Sequence, residues 1–309
     1  MESTGSGSCH ASFGELLQGV LPGGHKFLVN CRICNRSQVT VRLGEPTYSV
    51  HKEEEFAQSY ARFPKTLKGL RIFLSDLGRH DDCAIAVSSD IPIGKGLSSS
   101  TADMVAGIRA LAGALSLRLK DDYVSRMLTE VEPNDGLHFD HTSAYHHTEG
   151  RLIANIDWVP PWRILGIDQG GMLDTVAFNQ RVIDWTDAQM TNYRDLLDRM
   201  LAALRARDAG RVASVATQSA RAWQPISPKD DLDAVLNLAD ELGALGVINT
   251  HSGTYLGLLF ADERTLDTER LLTVTAARLP NREIAWYATT GCGVENQDAA
   301  GSQGQRVNV

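Results

Sequence analysis

Pro92-Ile-Gly-Lys-Gly-Leu-Ser-Ser-Ser-Thr-Ala102 is the stretch that decides the fold, because it joins a predicted strand to a predicted helix. The run Ala84–Ser88 before it is short and apolar, which predicts a buried strand. Gly94 and Gly96 allow the backbone to adopt positive φ and to approach a bulky anion closely. A helix that begins directly afterwards adds free N–H groups and the positive end of its dipole. This order of elements predicts a loop that cradles a chain of phosphates.

The helix after the loop is predicted from its apolar spacing. Its apolar residues are Met104, Ile108, Leu111 and Leu115. Ser100 and Asp103 have the spacing of a capping box, so we expect the helix to begin there. The loop is neither a Walker A sequence nor a dinucleotide-binding sequence, because its glycines and serines follow a different order. A serine-rich cap on an ordinary core helix is the alternative interpretation.

Strands and helices are mixed along the rest of the chain, which predicts an α+β protein in two halves. Further strands are predicted at 39–43, 151–155, 162–168, 247–248, 255–260 and 284–288, and further helices in the second half of 56–78 and at 121–130, 187–207, 211–223, 232–242 and 266–279. The turn-forming sequence Val159-Pro-Pro-Trp162 is the predicted hinge. We expect a disordered tail over residues 1–8, one domain with the phosphate loop over 9–160, a second domain over 161–295, and a flexible tail over 296–309.

Composition excludes several classes of function. The chain has 309 residues, and its 38 acidic and 30 basic side chains give a net charge of −8. Nucleic acids and anionic membranes are therefore not expected partners. Neither a signal peptide nor a transmembrane segment is predicted, so we expect a cytoplasmic protein. The five cysteines are expected to be reduced, and Cys31 and Cys34 are interpreted as strand residues rather than a zinc or redox pair.

The loop resembles the phosphate-binding signature P-x-x-x-G-L-x-S-S-[AT] of the GHMP kinases, a family of small-molecule kinases that includes galactose, homoserine and mevalonate kinases. The matching residues are Pro92, Gly96, Leu97, Ser99 and Ser100, with Thr101 where alanine is usual. The resemblance implies a two-domain fold, with ATP bound between an N-terminal mixed α/β domain and a C-terminal ferredoxin-like α+β domain. It also implies a magnesium ion held by the second serine of the signature pair.

The resemblance assigns roles to the residues of the loop. Those expected to contact ATP or its phosphates are Pro92, Gly94, Lys95, Gly96, Leu97, Ser98, Ser99, Ser100 and Thr101. Lys95 would contact phosphate directly, or would be an ordinary solvated lysine. Ser100 is the expected magnesium ligand, and Glu132 would join it because hard cations prefer carboxylate oxygens. Glu132 could equally cap the end of a helix.

Four further segments resemble the GHMP subfamily that contains the L-threonine kinases of cobalamin synthesis. They are Cys9–Gly19, Glu132–Asp135 with Phe139–His141, Asp168–Asn179, and His251–Thr254. Asn134 replaces a usual serine or threonine, and the stretch 137–147 is unusually rich in histidine. The resemblance implies phosphoryl transfer to a hydroxyl of a small amino-acid-like substrate, with L-threonine favoured. Another small alcohol (homoserine, a sugar or an isoprenoid precursor) and a non-catalytic nucleotide sensor on the same fold are the alternatives.

Phosphoryl transfer needs a group that takes or orients the proton of the acceptor. Asp135 is the predicted group and Asp140 the alternate, although an aspartate in a turn after Pro133 would look the same. Substrate contacts are predicted for Glu15, His141, Asp174, His251, Ser252, Gly253 and Thr254, with Asp168 as a further carboxylate. A carboxylate facing an ammonium group is a natural reader of amino acids.

The histidine-rich stretch allows a second interpretation. A transition-metal site could use His138, Asp140, His141, His146 and His147. Adjacent side chains on regular structure diverge, so solvated loop histidines, or a single substrate contact by His141, are favoured instead. A monomer and a homodimer are both compatible with the sequence.

Overall fold

Two long antiparallel strands, β1 (Ser3–Leu21) and β2 (His25–Leu43), form the centre of the computed structural model. The structure describes residues 3–44, 63–171, 178, 181, 183–262 and 266–292. In the second half of β1 every residue is buried, since other elements cover both faces of this strand. None of the helices in this described part has the length and apolarity needed to span a bilayer.

The remaining elements follow in a mixed order. They are α1 (Pro64–Asp76), β3 (Cys83–Ser89), α2 (Ser99–Ala114), α3 (Asp121–Val131), β4 (Thr142–His146), β5 (Arg151–Ile156), β6 (Trp162–Asp168), α4 (Asp187–Arg205), α5 (Ala209–Trp223), α6 (Leu232–Leu242), β7 (Gly246–Asn249), β8 (Tyr255–Ala261), α7 (Thr268–Arg278) and β9 (Glu283–Ala288), with a 3-10 turn at Thr290–Cys292. Helices and antiparallel strands confirm the predicted α+β class.

One nine-stranded sheet runs through both halves of the chain in the order β5-β4-β2-β1-β7-β8-β6-β9, with β3 also paired to β2. The strands before residue 160 and those after it meet where β1 pairs with β7, at Glu15 opposite Asn249. The predicted strands and helices of the described residues are present. The division into two domains at residue 160 stays a prediction.

The expected disordered tail over residues 1–8 is wrong for Ser3–Ser8, which lie in β1 and pair with β2. Gly5 and Gly7 let α2 approach the strand. A Cβ on Gly5 would lie 2.1 Å from the carbonyl oxygen of Ala110, and one on Gly7 would lie 2.4 Å from that of Ala106. The Ser/Gly composition that resembles a linker is therefore what close strand–helix packing requires.

The capping box predicted for α2 is also wrong. The helix begins at Ser99, and its N-cap is Ser98, whose left-handed backbone at φ 61° makes no side-chain cap bond. Asp103 instead accepts a hydrogen bond of 2.5 Å from the Ser37 hydroxyl on β2. The aspartate therefore fastens the helix to the sheet rather than capping its own first turn.

Three histidines of the histidine-rich stretch are not solvated loop residues, whereas His141 is half-exposed. The stretch leads into β4, which pairs with β2 and β5. His138, His146 and His147 are buried, and burial lowers the pKa of His138 and of His147 to about 3. Among the described residues no group of three or more histidine, cysteine, aspartate or glutamate side chains could hold a metal ion. These three histidines are therefore neutral core residues.

Candidate active site

The phosphate loop spans the gap between β3 and α2 with its backbone half-exposed. Gly94 and Gly96 have φ of 73° and 85°. Gly96 lies directly against Gly253 of the loop between β7 and β8, because a Cβ on Gly96 would be 2.6 Å from the Gly253 Cα. The two loops thus meet and form one surface at the N-terminus of α2. Free N–H groups and the helix dipole suit this surface to a polyphosphate.

Lys95 holds the two loops together. Its ammonium group lies 2.6 Å from Oδ2 of Asp168, at the end of β6, and donates to the Gly171 carbonyl at 2.9 Å. The other oxygen of Asp168 accepts a hydrogen bond of 2.6 Å from the Thr254 hydroxyl. The Thr254 N–H donates to the Lys95 carbonyl at 3.1 Å. Lys95 is therefore an ion-paired residue rather than a solvated loop lysine.

Ser100 and Glu132 lie together, as the predicted magnesium site requires. The Ser100 hydroxyl donates to Oε1 of Glu132 at 2.7 Å, and Lys65 of α1 lies 2.5 Å from Oε2. Both groups are half-buried, and a hydroxyl with a carboxylate is an oxygen donor set that suits a hard cation. These residues fit magnesium on a phosphate bound at the helix N-terminus.

Asp135 follows α3 in the chain, and its side chain contacts Thr101 in the first turn of α2. The Thr101 hydroxyl donates to Oδ2 of Asp135 at 3.3 Å, and the Asn30 amide donates to the backbone carbonyl of Asp135 at 3.3 Å. Burial raises the pKa of Asp135 above its ordinary value, and the negative charge of Glu132 adds to the rise. Asp135 is therefore a titratable carboxyl with a raised pKa beside the first turn of α2.

Glu15 lies in the middle of β1, close enough to Asp135 for the charge of that aspartate to act on it. Only 4% of the residue is exposed, and its Oε2 has no hydrogen-bond partner among the described residues. Burial raises the pKa of Glu15 well above its ordinary value, and the charge of Asp135 raises it further. A buried carboxyl with an unsatisfied oxygen is costly to retain in a folded protein.

Aromatic rings pack around His251, whose backbone interacts with the Glu15 carboxyl. The His251 ring stacks on Trp223 of α5 with centroids 4.7 Å apart, and its Nδ1 lies 3.3 Å from the Gln18 side-chain oxygen. Burial lowers the pKa of His251 well below its ordinary value, so the ring is neutral. The cations Lys26 and Arg181 line a narrow cavity against these rings.

The structure does not bring every predicted residue to this place. Asp140 is exposed and lies 3.8 Å from Arg109, which is ten residues into α2 and so about 15 Å along the axis from its first residue. His141 is half-exposed and pairs with Asp157 at 2.9 Å. Asp174 lies outside the described residues. Ser252 is buried behind the loop.

Comparison with known proteins identifies the family. A model of the GHMP kinase N-terminal domain matches residues 65–147. An L-threonine kinase of Citrobacter freundii is 30% identical over 258 residues, which cover 83% of this chain and 86% of the relative. The chain belongs to the GHMP kinases. It is therefore a small-molecule kinase.

Solved GHMP-type structures share the fold. A homoserine kinase of Cytophaga hutchinsonii matches 94% of this GHMP kinase and 95% of its own chain, with a TM-score of 0.66 and 15% identity. MDDEF, solved in complex with MVAPP, AMPPCP and magnesium, matches 94% and 98% of the two chains, with a TM-score of 0.66 and 14% identity. The fold is common to them.

Sequence reasoning missed several residues of the kinase site. Lys65 pairs with Glu132, and Asn30 donates a hydrogen bond to Asp135. Lys229 is buried behind the Gly253 loop, where it donates to the Gly253 carbonyl and to Ser227. Burial lowers the pKa of Lys229 to about 8. These residues come from distant segments that carry no local motif. The only sequence signal for any of them was that Lys65 lies in the amphipathic helix α1.

Proposed function

We propose that this GHMP kinase transfers the γ-phosphoryl group of Mg·ATP to the side-chain hydroxyl of L-threonine, giving O-phospho-L-threonine. The proposal is carried by one observation: the Asp135 carboxyl lies beside the first turn of α2, where it accepts a hydrogen bond from Thr101, and its charge acts on the buried carboxyl of Glu15. The named activity of the Citrobacter freundii relative supports the choice of acceptor. ATP and magnesium are the cofactors, and we propose a cytoplasmic enzyme without nucleic-acid or membrane partners.

The phosphate loop holds the nucleotide in this proposal. Backbone N–H groups around Gly96 and at the start of α2 bind the phosphate chain, and Lys95 stays within reach of it. Ser100 and Glu132 hold magnesium, which neutralises charge on the transferring phosphoryl group when bound. The pairing of Lys65 with Glu132 fixes the direction of that carboxylate.

Asp135 accepts or orients the proton of the acceptor hydroxyl. Its raised pKa brings the carboxylate closer to the operating pH, which favours proton transfer. The Thr101 hydroxyl and the turn after Pro133 hold it beside the first turn of α2. In-line positioning of the hydroxyl by the surrounding residues supplies the rest of the acceleration.

The acceptor is proposed to be an amino acid because opposite charges flank the site. Glu15, buried and with an unpaired oxygen, suits the α-ammonium group. Lys26 and Arg181, at the cavity beside His251, supply the positive charge that an α-carboxylate needs. A sugar or an isoprenoid alcohol would leave at least one of these charges without a counterpart.

A screen with the purified protein tests the acceptor. Mg·ATP is supplied with L-threonine, L-serine, L-homoserine, galactose and mevalonate in separate reactions, and phosphorylated products are identified by ³¹P NMR. We expect O-phospho-L-threonine to form with the highest kcat/KM. Turnover of galactose or mevalonate instead would contradict the proposed acceptor, and no product from any acceptor would contradict the kinase reaction.

Two aspartate variants test the proposed base. Asp135→Asn is expected to lower kcat by about 10²-fold or more and to leave the affinity for Mg·ATP within about threefold, because Asp135 acts in the transition state. Asp140→Asn is the matched control, since Asp140 is exposed beside Arg109, and it should retain full activity. Equal losses in the two variants would remove Asp135 from the role of base.

A further inference from the structure

A second cavity, of about 550 Å³, opens where β2 meets the 3-10 turn after β9. Its lining includes Arg32 of β2, His10 of β1, Asp140, Trp158 and Thr290. It shares no lining residue with the phosphate loop or with the surroundings of Glu15 and Asp135. The proposed kinase reaction gives this cavity no role.

Arg32 is the unusual residue of this cavity. It is 4% exposed, and its Nη1 donates to the carbonyls of Leu137 at 3.0 Å and Phe139 at 2.7 Å. A guanidinium has five N–H donors, so three donors on Nε and Nη2 have no acceptor among the described residues. No described carboxylate lies within 4.0 Å of it. A buried cation without a counterion is costly to retain.

The charge of Asp140, which also lines the cavity, acts favourably on Arg32, but the carboxylate forms no close ion pair with it. Arg109 is a second cation nearby, and the side chain of Asp140 is 79% exposed and lies 3.8 Å from Arg109. Burial, reinforced by the charge of Arg32, lowers the pKa of His10, whose Nδ1 lies 3.3 Å from the Cys34 carbonyl. The indole N–H of Trp158 and the hydroxyl of Thr290 have no acceptor among the described residues. The cavity therefore presents several donors and a guanidinium without a close ion pair in the part of the chain that the structure describes.

We propose that this cavity is a binding site for a small anion, a carboxylate or a phosphate monoester, which Arg32 holds in a bidentate contact. A planar guanidinium matches the two oxygens of either group. The site is separate from the nucleotide site. It is nevertheless linked to it, because Arg32 holds the carbonyls of Leu137 and Phe139 in the segment that directly follows Asp135.

The first experiment measures anion binding by calorimetry. The full-length protein is saturated with Mg and a non-hydrolysable ATP analogue, which occupies the phosphate loop, and is titrated with malonate or with inorganic phosphate at constant ionic strength. We expect one site for at least one of the two anions, and the stronger heat distinguishes a carboxylate from a phosphate ligand. Arg32→Lys should weaken binding roughly tenfold or more, because a charge-assisted bidentate contact is lost. No heat with either anion would overturn the proposal.

A second pair of variants does not disturb Arg32. Thr290→Glu places a carboxylate in the cavity, and Thr290→Gln is its uncharged control of the same size. We expect the glutamate variant to melt at a higher temperature than the glutamine variant without added anion, because its carboxylate pairs with Arg32. The glutamate variant should also give no heat of binding when it is titrated with the anion. Equal melting temperatures together with equal heats would show that the anion binds elsewhere and would overturn the proposed site.

Discussion

Glu15 shows at the scale of one residue how a site is kept at the expense of stability. Its carboxyl is buried beside Asp135 with an unpartnered oxygen, and its pKa is raised well above the ordinary value. Between the unfolded pKa and this raised pKa the native state binds more protons than the unfolded state does. Stability therefore falls as the pH rises through that window.

Glu15→Gln should remove this loss of stability. We expect the variant to be more stable than wild type by about 1 kcal/mol at neutral pH, because an amide takes up no proton when it is buried on folding, and to show a flatter pH dependence. Urea denaturation at several pH values measures both effects. Glu283→Gln, at an exposed position, is the control and should change neither. In enzyme assays Glu15→Gln should raise the KM for the acceptor. A variant as pH-sensitive as wild type would refute this account of Glu15.

The pH dependence of turnover should follow the ionisation of Asp135. The carboxylate must be ionised to accept a proton, so kcat/KM should fall as the pH drops through its raised pKa, above the ordinary value of 3.8. The Thr101 hydroxyl donates to the ionised form and lowers that pKa. Thr101→Val, which keeps the shape of the side chain, should move the acidic limb upward by roughly half a unit. An unchanged or lowered limb would show that Asp135 does not control the profile.

At the scale of elements, the phosphate loop and α2 could be predicted because their signals are local. Helical spacing from Met104 and the glycines of the loop needed no knowledge of distant segments. The strand Ser3–Ser8 could not be predicted from composition, because its Gly5 and Gly7 serve a helix that lies about a hundred residues away in sequence. Asp103 failed as a capping residue for the same reason, since its partner is Ser37 on β2.

The contact between the loops that contain Gly96 and Gly253 should be needed for tight binding of Mg·ATP. A Cβ on Gly253 would lie 2.1 Å from the Lys95 carbonyl oxygen, so Gly253→Ala must push the loops apart. We expect Mg·ATP to bind at least about tenfold more weakly, because N–H groups move away from the phosphates. Gly243→Ala is the matched control. Gly243 ends α6 with φ of 69° and nothing within 4 Å, so it should lose about 1 kcal/mol of stability and keep its affinity. Equal affinities in the two variants would contradict the role of the contact.

At the scale of the whole molecule, two of the connections between the halves of the chain involve residues of the predicted site. One is the pairing of β1 with β7 at Glu15 and Asn249, which places the Glu15 carboxyl where the halves meet. The other is the Lys95–Asp168 ion pair, which ties the phosphate loop to the end of β6. Sequence patterns named Glu15, Lys95 and Asp168 separately. Their pairing depends on tertiary distances, which no single-sequence pattern encodes.

The Lys95–Asp168 pair carries the last prediction. The Asp168 side chain is 2% exposed and that of Lys95 is 23% exposed, so Lys95→Met leaves a buried carboxylate without its cation. We expect a loss of about 2 kcal/mol in the free energy of unfolding, below the usual cost of breaking a fully buried pair because the lysine is partly solvated. Adding Asp168→Asn to the Lys95→Met variant should restore part of the lost free energy of unfolding. A double-mutant cycle measured by urea denaturation should therefore show clear coupling between the two substitutions. Arg199→Met, at the exposed Arg199–Asp195 pair on α4, is the control and should cost less than about 0.5 kcal/mol. If the Lys95 and Asp168 effects were simply additive, the ion pair would not be what holds the phosphate loop against β6.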